Sequence, residues 1–171
     1  MKYTASLDTT AKIITLLTIG LLLFVASIDV KALAVPQLET DAILIHVGKL
    51  LFFIAIILFA YLFAPMSYIV DDTKLTIVRP VGNKKINFTD IAGIRIIAES
   101  ELITGIRTFG VGGLFGYFGL FNYKGIGNVT LYATQKRNRI LIQTRQGQKI
   151  IITPDDLGIT VQLKENLKQK H

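Results

Sequence analysis

The sequence predicts a two-helix transmembrane hairpin followed by a mainly β domain of about seven antiparallel strands, arranged as a barrel or sandwich with a C-terminal helix. The 171-residue chain has a mean hydropathy of +0.50 and only 18% charged residues, against about 25% in ordinary soluble domains. Two long apolar runs fill the first 65 residues, and short β-branched runs separated by turn residues fill the rest. We therefore predict an N-terminal tail and hairpin at residues 1–65 and a β domain at residues 66–171.

The two apolar runs predict membrane spans at about residues 13–35 and 42–64. The first run carries no charge from Ile13 to Ile28, and the second is interrupted only by His46 and Lys49. Because a helix needs about 20 residues to cross the hydrocarbon core, each run is long enough if its outer end includes a polar residue or two.

Basic residues near the spans predict the orientation, since cytoplasmic flanks are rich in lysine and arginine. The connection between the spans has Lys31 alone, whereas both outer flanks are basic, with Lys2 and Lys12 before the first span and Lys74, Arg79, Lys84 and Lys85 after the second. We expect a multi-pass membrane protein with both termini cytoplasmic and a turn near residues 36–40 outside.

A signal peptide cleaved after Ala34 is the alternative, because a basic start, an apolar run and small residues precede that position. Cleavage would leave one span and put the basic domain outside. Asp29 and Lys31 close to the supposed cleavage site favour the hairpin instead.

Asp29 and Lys49 are a candidate intramembrane pair. Each lies ten residues from Glu39, so an antiparallel hairpin centred there places them at similar depth. Pairing lowers the cost of a charge in lipid, and both lie close enough to the outer end to reach the interface. The alternative is a polar relay in a transporter or an oligomeric membrane assembly, with His46 one turn from Lys49.

The second half of the chain predicts the β domain. β-branched runs between turn signals favour antiparallel strands, and apolar residues then recur at helical spacing from Leu157 to Leu167, after a proline and two acids that are typical of a helix start. The strands are expected at residues 67–70, 74–79, 84–88, 93–99, 128–134, 138–144 and 148–153.

The segment from Leu102 to Tyr123 has six glycines, six aromatic residues and one charge. Glycine at this density predicts neither a stable helix nor a regular strand. Two interpretations stay open, a segment folded back on the barrel and a membrane-facing loop with aromatic residues at headgroup level. A phosphate-binding loop is not favoured, because no Gly-Lys-Ser/Thr follows. The candidate membrane or partner contacts are Arg107, Phe109, Phe115, Tyr117, Phe118 and Phe121.

Composition excludes several kinds of chemistry. The chain has no cysteine, and its only histidines are His46 and His171, so disulfides, thiolate sites and cysteine nucleophiles are excluded. No catalytic constellation is visible, and we expect neither an enzyme nor a cofactor nor a bound metal.

The net charge of +7 falls entirely on residues 67–171, which hold fifteen basic and eight acidic residues. A basic domain next to an anionic leaflet is attracted to it. Nucleic-acid binding is not expected, because the aromatic segment is poor in cations. The candidate basic patch comprises Lys84, Lys85, Lys136, Arg137 and Arg139.

The run from Gly105 to Gly119, with Tyr132–Thr134 and Ile151–Asp156, resembles the bacterial PH-like (pleckstrin-homology-like) domain membrane proteins, over about residues 66–168. The resemblance implies a PH-type barrel held at the cytoplasmic face of a bacterial membrane, here the inner membrane, and it carries no established activity. We therefore expect a non-enzymatic binding or scaffolding module whose partners are membrane lipids and a protein or anionic-lipid ligand. The alternative is a subunit of an oligomeric membrane assembly or transporter.

Overall fold

The computed structural model describes residues 1–36, 39–102 and 105–168. Part of the predicted outer turn and two residues of the glycine-rich segment, 103 and 104, lie outside the described residues. The helices are α1 (Thr9–Leu33), α2 (Thr40–Phe63) and α3 (Ile159–Lys168). The strands are β1 (Lys2–Thr4), β2 (Ser67–Val70), β3 (Lys74–Val78), β4 (Lys84–Asn87), β5 (Ile91–Ile96), β6 (Gly105–Gly113), β7 (Gly116–Tyr123), β8 (Gly127–Ala133), β9 (Ile140–Thr144) and β10 (Lys149–Ile152).

Helices α1 and α2 are long and apolar enough to cross a membrane. They contain 25 and 24 residues, which at 1.5 Å per residue makes each about 36–37 Å long. Among their described residues only Ala11, Asp29 and Ala60 are buried. Their apolar side chains therefore face outward rather than into a protein core.

The β domain consists of two sheets. The first has the order β1-β2-β3-β4 and the second the order β5-β9-β10-β8-β7-β6. Strand pairs are antiparallel except β8 and β10, which run parallel. The main core lies between the sheets around Tyr68, Phe88 and Ile152, and α3 closes it with Ile159 and Leu163.

A second apolar cluster covers the opposite face of the six-stranded sheet. Alternate residues of β8 (Val129, Leu131 and Ala133) point to this face, as the two-residue period of a strand requires. Leu102 and Ile126 pack over them from the connections on either side of β6 and β7. The sheet is therefore buried on both faces near its centre.

The prediction of about seven antiparallel strands is wrong in strand number and in the parallel pair of β8 and β10, and of the two predicted arrangements, barrel or sandwich, the closed barrel does not form in the described part of the chain. The described residues form ten strands, and their two sheets do not join into a closed barrel. One additional strand is β1, which pairs with β2 so that Tyr3 lies opposite Tyr68. A three-residue strand carries too little sequence pattern to be predicted, and here it is stabilised by the domain that it joins.

The prediction that the glycine-rich segment forms no regular strand is also wrong, because it forms the β6–β7 hairpin. Gly110 and Gly119 lie opposite each other with φ near +119°. A Cβ atom at Gly110 would lie 2.2 Å from the carbonyl oxygen of Phe118, and one at Gly119 would lie 2.4 Å from that of Phe109. Glycine is thus what allows the two strands to approach at this point.

The C-terminal helix forms, but it begins at Ile159 rather than at the proline and acids before it. Asp155 instead accepts hydrogen bonds from the backbone N–H and hydroxyl of Ser6, at 2.9 and 2.7 Å. Asp156 accepts one from the backbone N–H of Gly158, at 2.7 Å. The first acid therefore ties the N-terminal segment to the β domain.

Candidate functional site

A cavity of about 390 Å³ opens on the face of the six-stranded sheet that carries the second apolar cluster. Its walls combine aromatic side chains from β7 with basic side chains from the turn between β8 and β9. The residues around it are Leu102, Gly105, Tyr117, Phe121, Tyr123, Leu131, Ala133, Gln135, Lys136, Arg139 and Thr153.

The aromatic wall follows from the alternation of β7. Tyr117, Phe121 and Tyr123 are separated by even numbers of residues and pair with residues 133, 129 and 127 of β8, so they share one face of the sheet. The rings of Phe121 and Tyr123 are nearly parallel, with an interplanar angle of 14° and centroids 6.3 Å apart. The cavity therefore has a flat aromatic side.

Two cations border this aromatic side. The Lys136 ammonium lies 5.6 Å from the centroid of the Tyr117 ring, within the range of a cation–π contact. Burial raises the pKa of Tyr123, and the positive charge of Arg139 opposes part of that rise. No carboxylate is among the described residues that line the cavity, although the Asp8 carboxylate accepts hydrogen bonds from Tyr117 and from the backbone of Lys136 directly behind them.

The turn that carries the cations is fixed by hydrogen bonds. The Gln135 side-chain amide donates to the carbonyl oxygen of Pro154 at 3.0 Å. Asn138 adopts a positive φ of 51°, and its side-chain amide donates to the carbonyl oxygens of Pro154 and Asp155 at 3.1 and 2.9 Å. Lys136 and Arg139 thus project from a well-supported backbone.

Asp8 connects this cavity to the start of α1. Its carboxylate accepts hydrogen bonds from the backbone N–H of Ala11 at 2.7 Å, from the backbone N–H of Lys136 at 3.1 Å and from the hydroxyl of Tyr117 at 3.2 Å. Burial, together with the charge of Asp8, raises the pKa of Tyr117 to about 12. One side chain therefore caps α1 and holds two walls of the cavity.

The tip of the β6–β7 hairpin packs against both long helices. The Thr15 hydroxyl donates to the carbonyl oxygen of Gly113 at 3.2 Å and accepts from the backbone N–H of Phe115 at 2.9 Å. The Phe115 ring meets Tyr61 of α2 edge to face, with centroids 5.6 Å apart. The hairpin is thus fixed against the helix ends nearest the β domain.

The six candidate contacts of the glycine-rich segment do not lie on one surface. Tyr117 and Phe121 line the cavity, and Phe115 packs at the hairpin tip. Arg107 is exposed, with its guanidinium beside Gly112. Phe118 is buried, whereas Phe109 is 67% exposed.

The basic candidates do not form one patch. Lys136 and Arg139 border the cavity, and Arg137 between them is exposed without lining it. Lys84 and Lys85 lie on β4, beside a separate depression of about 150 Å³ formed with residues 144–150. Sequence proximity to a turn did not reveal which of these cations share a surface.

The candidate intramembrane pair Asp29 and Lys49 is brought together, with His46 beside it. Asp29 is 1% exposed, and its carboxylate forms an ion pair with Lys49 and a 2.6 Å contact with Nδ1 of His46.

Among the described residues no group of three or more histidine, cysteine or acidic side chains is arranged to hold a metal ion.

Sequence reasoning missed Asp8, Tyr123 and Gln135. Asp8 precedes two threonines and an apolar run, which is a recognisable helix N-cap signal. Tyr123 and Gln135 gain their roles only from the pairing of β7 with β8 and from the packing of the following turn, and no local pattern indicates either.

Comparison with protein families matches residues 66–171 to the family described as Bacterial PH domain. The chain belongs to this family. Searches of curated proteins and of solved structures each found no match. PH domains are generally binding modules for lipids or proteins rather than enzymes, so membership favours a binding role for this PH domain.

Proposed function

We propose that this protein is a non-enzymatic, membrane-anchored binding module. In this proposal its PH domain lies at the cytoplasmic face of a bacterial inner membrane and binds an anionic phospholipid headgroup. The observation that carries the proposal is the bonding of Asp8, which caps α1 and also accepts hydrogen bonds from the backbone of Lys136 and from Tyr117. A cavity bordered by the cations of Lys136 and Arg139 therefore lies directly beside the first turn of a candidate span.

The N-terminal strand supports the hairpin arrangement. β1 precedes α1, yet it pairs with β2, which follows α2. Both ends of the helix pair are therefore on one side, which requires an even number of crossings. Cleavage after Ala34 would remove β1 and Asp8, and with them contacts that the β domain uses. The basic flanks then favour the cytoplasmic side for both termini.

The chemistry of the cavity supports an anionic headgroup as its ligand. A phosphate ester needs positive charge and hydrogen-bond donors, which Lys136 and Arg139 supply. The glycerol part of a headgroup has an apolar surface that fits against Phe121 and Tyr123. A partly exposed charge-assisted hydrogen bond to a phosphate contributes about 1 kcal/mol, so the two together provide about 2 kcal/mol, or about 30-fold in affinity.

The test measures binding of short-chain phosphatidylglycerol and phosphatidylcholine to the full chain in neutral detergent, by calorimetry. The cavity variant is Lys136→Gln/Arg139→Gln, and the matched control is Lys84→Gln/Lys85→Gln, which removes the same charge elsewhere. We expect a preference for phosphatidylglycerol that falls about 30-fold in the cavity variant and less than about twofold in the control.

Two results would contradict the proposal. Equal losses in both double variants would assign the preference to general charge rather than to the cavity. Equal binding of both lipids by the unaltered chain would refute an anionic headgroup as the ligand and favour a protein ligand instead.

A second candidate function is a subunit of an oligomeric membrane assembly, and the buried carboxylate of α1 favours it. Oδ2 of Asp29 is buried and has no hydrogen-bond partner among the described residues, while Lys49 is 45% exposed. A second copy would cover this face. Native mass spectrometry in lipid nanodiscs tests the idea: assembly that is lost in Lys49→Leu supports it, and a monomeric unaltered chain rejects it.

A further inference from the structure

The β6–β7 hairpin has two chemically different faces. The pairs Phe109–Leu120 and Val111–Phe118 lie on one face, whereas Tyr117 and Phe121 point from the other face into the cavity. The glycines of the hairpin have no side chains, so they add no polar group to either face. One face is therefore apolar except for Asn122, which lies opposite Ile106 at the end away from the hairpin tip, and the other face borders the cavity.

Three side chains of the apolar face are uncovered, whereas Phe118 on the same face is buried. Phe109 is 67% exposed, Ile106 70% and Leu120 50%. Paired residues on one face of a hairpin form a continuous surface, and these three belong to it by register. Contiguous apolar surface of this kind marks an interaction site rather than ordinary scatter.

A groove of about 420 Å³ separates this face from α2. Uncharged side chains form both sides, with Phe109, Gly110, Val111 and Leu114 facing Ala55, Ile56, Phe59 and Ala60. Phe59 and Ala55 precede the last residue of α2 by four and eight positions, so this part of the helix lies about 6–12 Å from its end. In a spanning α2, that depth is inside the hydrocarbon of the cytoplasmic leaflet.

We propose that the β6–β7 hairpin is a third membrane element, with its apolar face inserted in the cytoplasmic leaflet and phospholipid acyl chains filling the groove beside α2. The inference rests on the membrane placement given under Proposed function. Acyl chains are the occupant because the groove opens at the depth where lipid surrounds α2, and because its lining is apolar on both sides.

The sheet edge limits the depth of insertion. β6 is the last strand of the six-stranded sheet, and an open sheet edge is not tolerated in hydrocarbon, because its N–H and C=O groups have no partners there. The free edge of β6, with its unpaired N–H and C=O groups, therefore has to stay at headgroup level, while the face that carries Phe109 and lines the groove turns towards the upper acyl region. The opposite face, with Arg107, then meets the headgroups.

Tryptophan quenching tests the insertion, since the chain has no tryptophan of its own. Three single variants of the full chain are reconstituted in vesicles that contain phosphatidylcholine brominated at a shallow or a deep position of its chains. Phe109→Trp reports the hairpin, and Phe52→Trp reports α2 at a point about 16 Å from its end. Val161→Trp, at an exposed position on α3, is the control within the PH domain.

We expect Phe109→Trp to be quenched more strongly by the shallow bromines, Phe52→Trp more strongly by the deep ones, and Val161→Trp by neither. If Phe109→Trp is quenched as little as Val161→Trp while Phe52→Trp is quenched, the hairpin inference is wrong and the anchored PH domain still stands. If Phe52→Trp is also unquenched, the membrane placement itself is refuted.

Discussion

Replacement of Asp8 by alanine tests the link between α1 and the PH domain. It removes the acceptor for the N–H groups of Ala11 and Lys136 and for the Tyr117 hydroxyl. Loss of an N-cap costs about 1 kcal/mol, and the two further hydrogen bonds, made at partly exposed groups, contribute about 1 kcal/mol each. We therefore expect Asp8→Ala to lower the free energy of unfolding by about 3 kcal/mol.

Asp8→Asn separates the cap from the charge, because asparagine is an equally good N-cap. This variant should lose only about 1 kcal/mol. The pKa of Tyr117 should fall below its raised value of about 12 in both variants, because the neighbouring negative charge is gone. Asp72→Ala, in an exposed turn, is the control for removal of one acidic charge.

The assay is denaturant unfolding of the full chain in detergent, followed by circular dichroism, with tyrosinate absorbance during a pH titration as the second readout. A Tyr117→Phe variant identifies the contribution of that phenol among the six tyrosines. Unfolding free energies of Asp8→Ala and Asp72→Ala that agree within about 0.5 kcal/mol, the range of ordinary surface changes, would refute the reasoning.

Three further predictions concern the hairpin, the core and the helix pair. Gly119→Ala should lower the free energy of unfolding by about 3 kcal/mol through backbone clash and strain. Gly125→Ala, with φ +96° but open space for its Cβ, should lower it by only about 1 kcal/mol. Equal melting temperatures for the two variants would contradict the close approach of the strands. Burial raises the pKa of Tyr68 to about 12, so from pH 10 to 12 the phenol loses its proton mainly in the unfolded state. The free energy of unfolding should therefore fall by up to about 2.7 kcal/mol over this range. If Tyr68→Phe shows the same dependence of unfolding free energy on pH, that cause is refuted. Asp29→Leu leaves Lys49 without its carboxylate and should reduce membrane insertion. The double variant Asp29→Leu/Lys49→Leu should restore insertion, because no unpaired charge remains. If a carbonate-extraction assay finds the single variant inserted as fully as the unaltered chain, the ion pair does not matter.

Elements with a strong local pattern could be predicted from the sequence. The two apolar helices and seven strands appear close to the predicted positions, because long apolar runs and β-branched runs between turns are decided largely by neighbouring residues. The β6–β7 hairpin was missed because glycine is unfavourable in strands on average. Only the pairing of Gly110 with Gly119 shows why these positions exclude a side chain.

Individual residues of the candidate site could be predicted from the sequence, but their arrangement around one cavity could not. Tyr117, Phe121, Lys136 and Arg139 were all singled out, but as members of two separate surfaces. Their meeting around one cavity depends on the pairing of β7 with β8 and on the turn that follows β8. β1 shows the same limit, since its three residues become a strand only because β2 offers an edge.

Labelling of single cysteines tests the central claim, a PH domain held at the cytoplasmic face by a two-helix hairpin, most directly. The chain has no cysteine, so Val35→Cys at the end of α1 and Val161→Cys on α3 each provide one thiol. In intact bacterial spheroplasts a membrane-impermeant maleimide should label Val35→Cys, and it should label Val161→Cys only after the membrane is permeabilised. Labelling of Val161→Cys in intact spheroplasts would contradict the account.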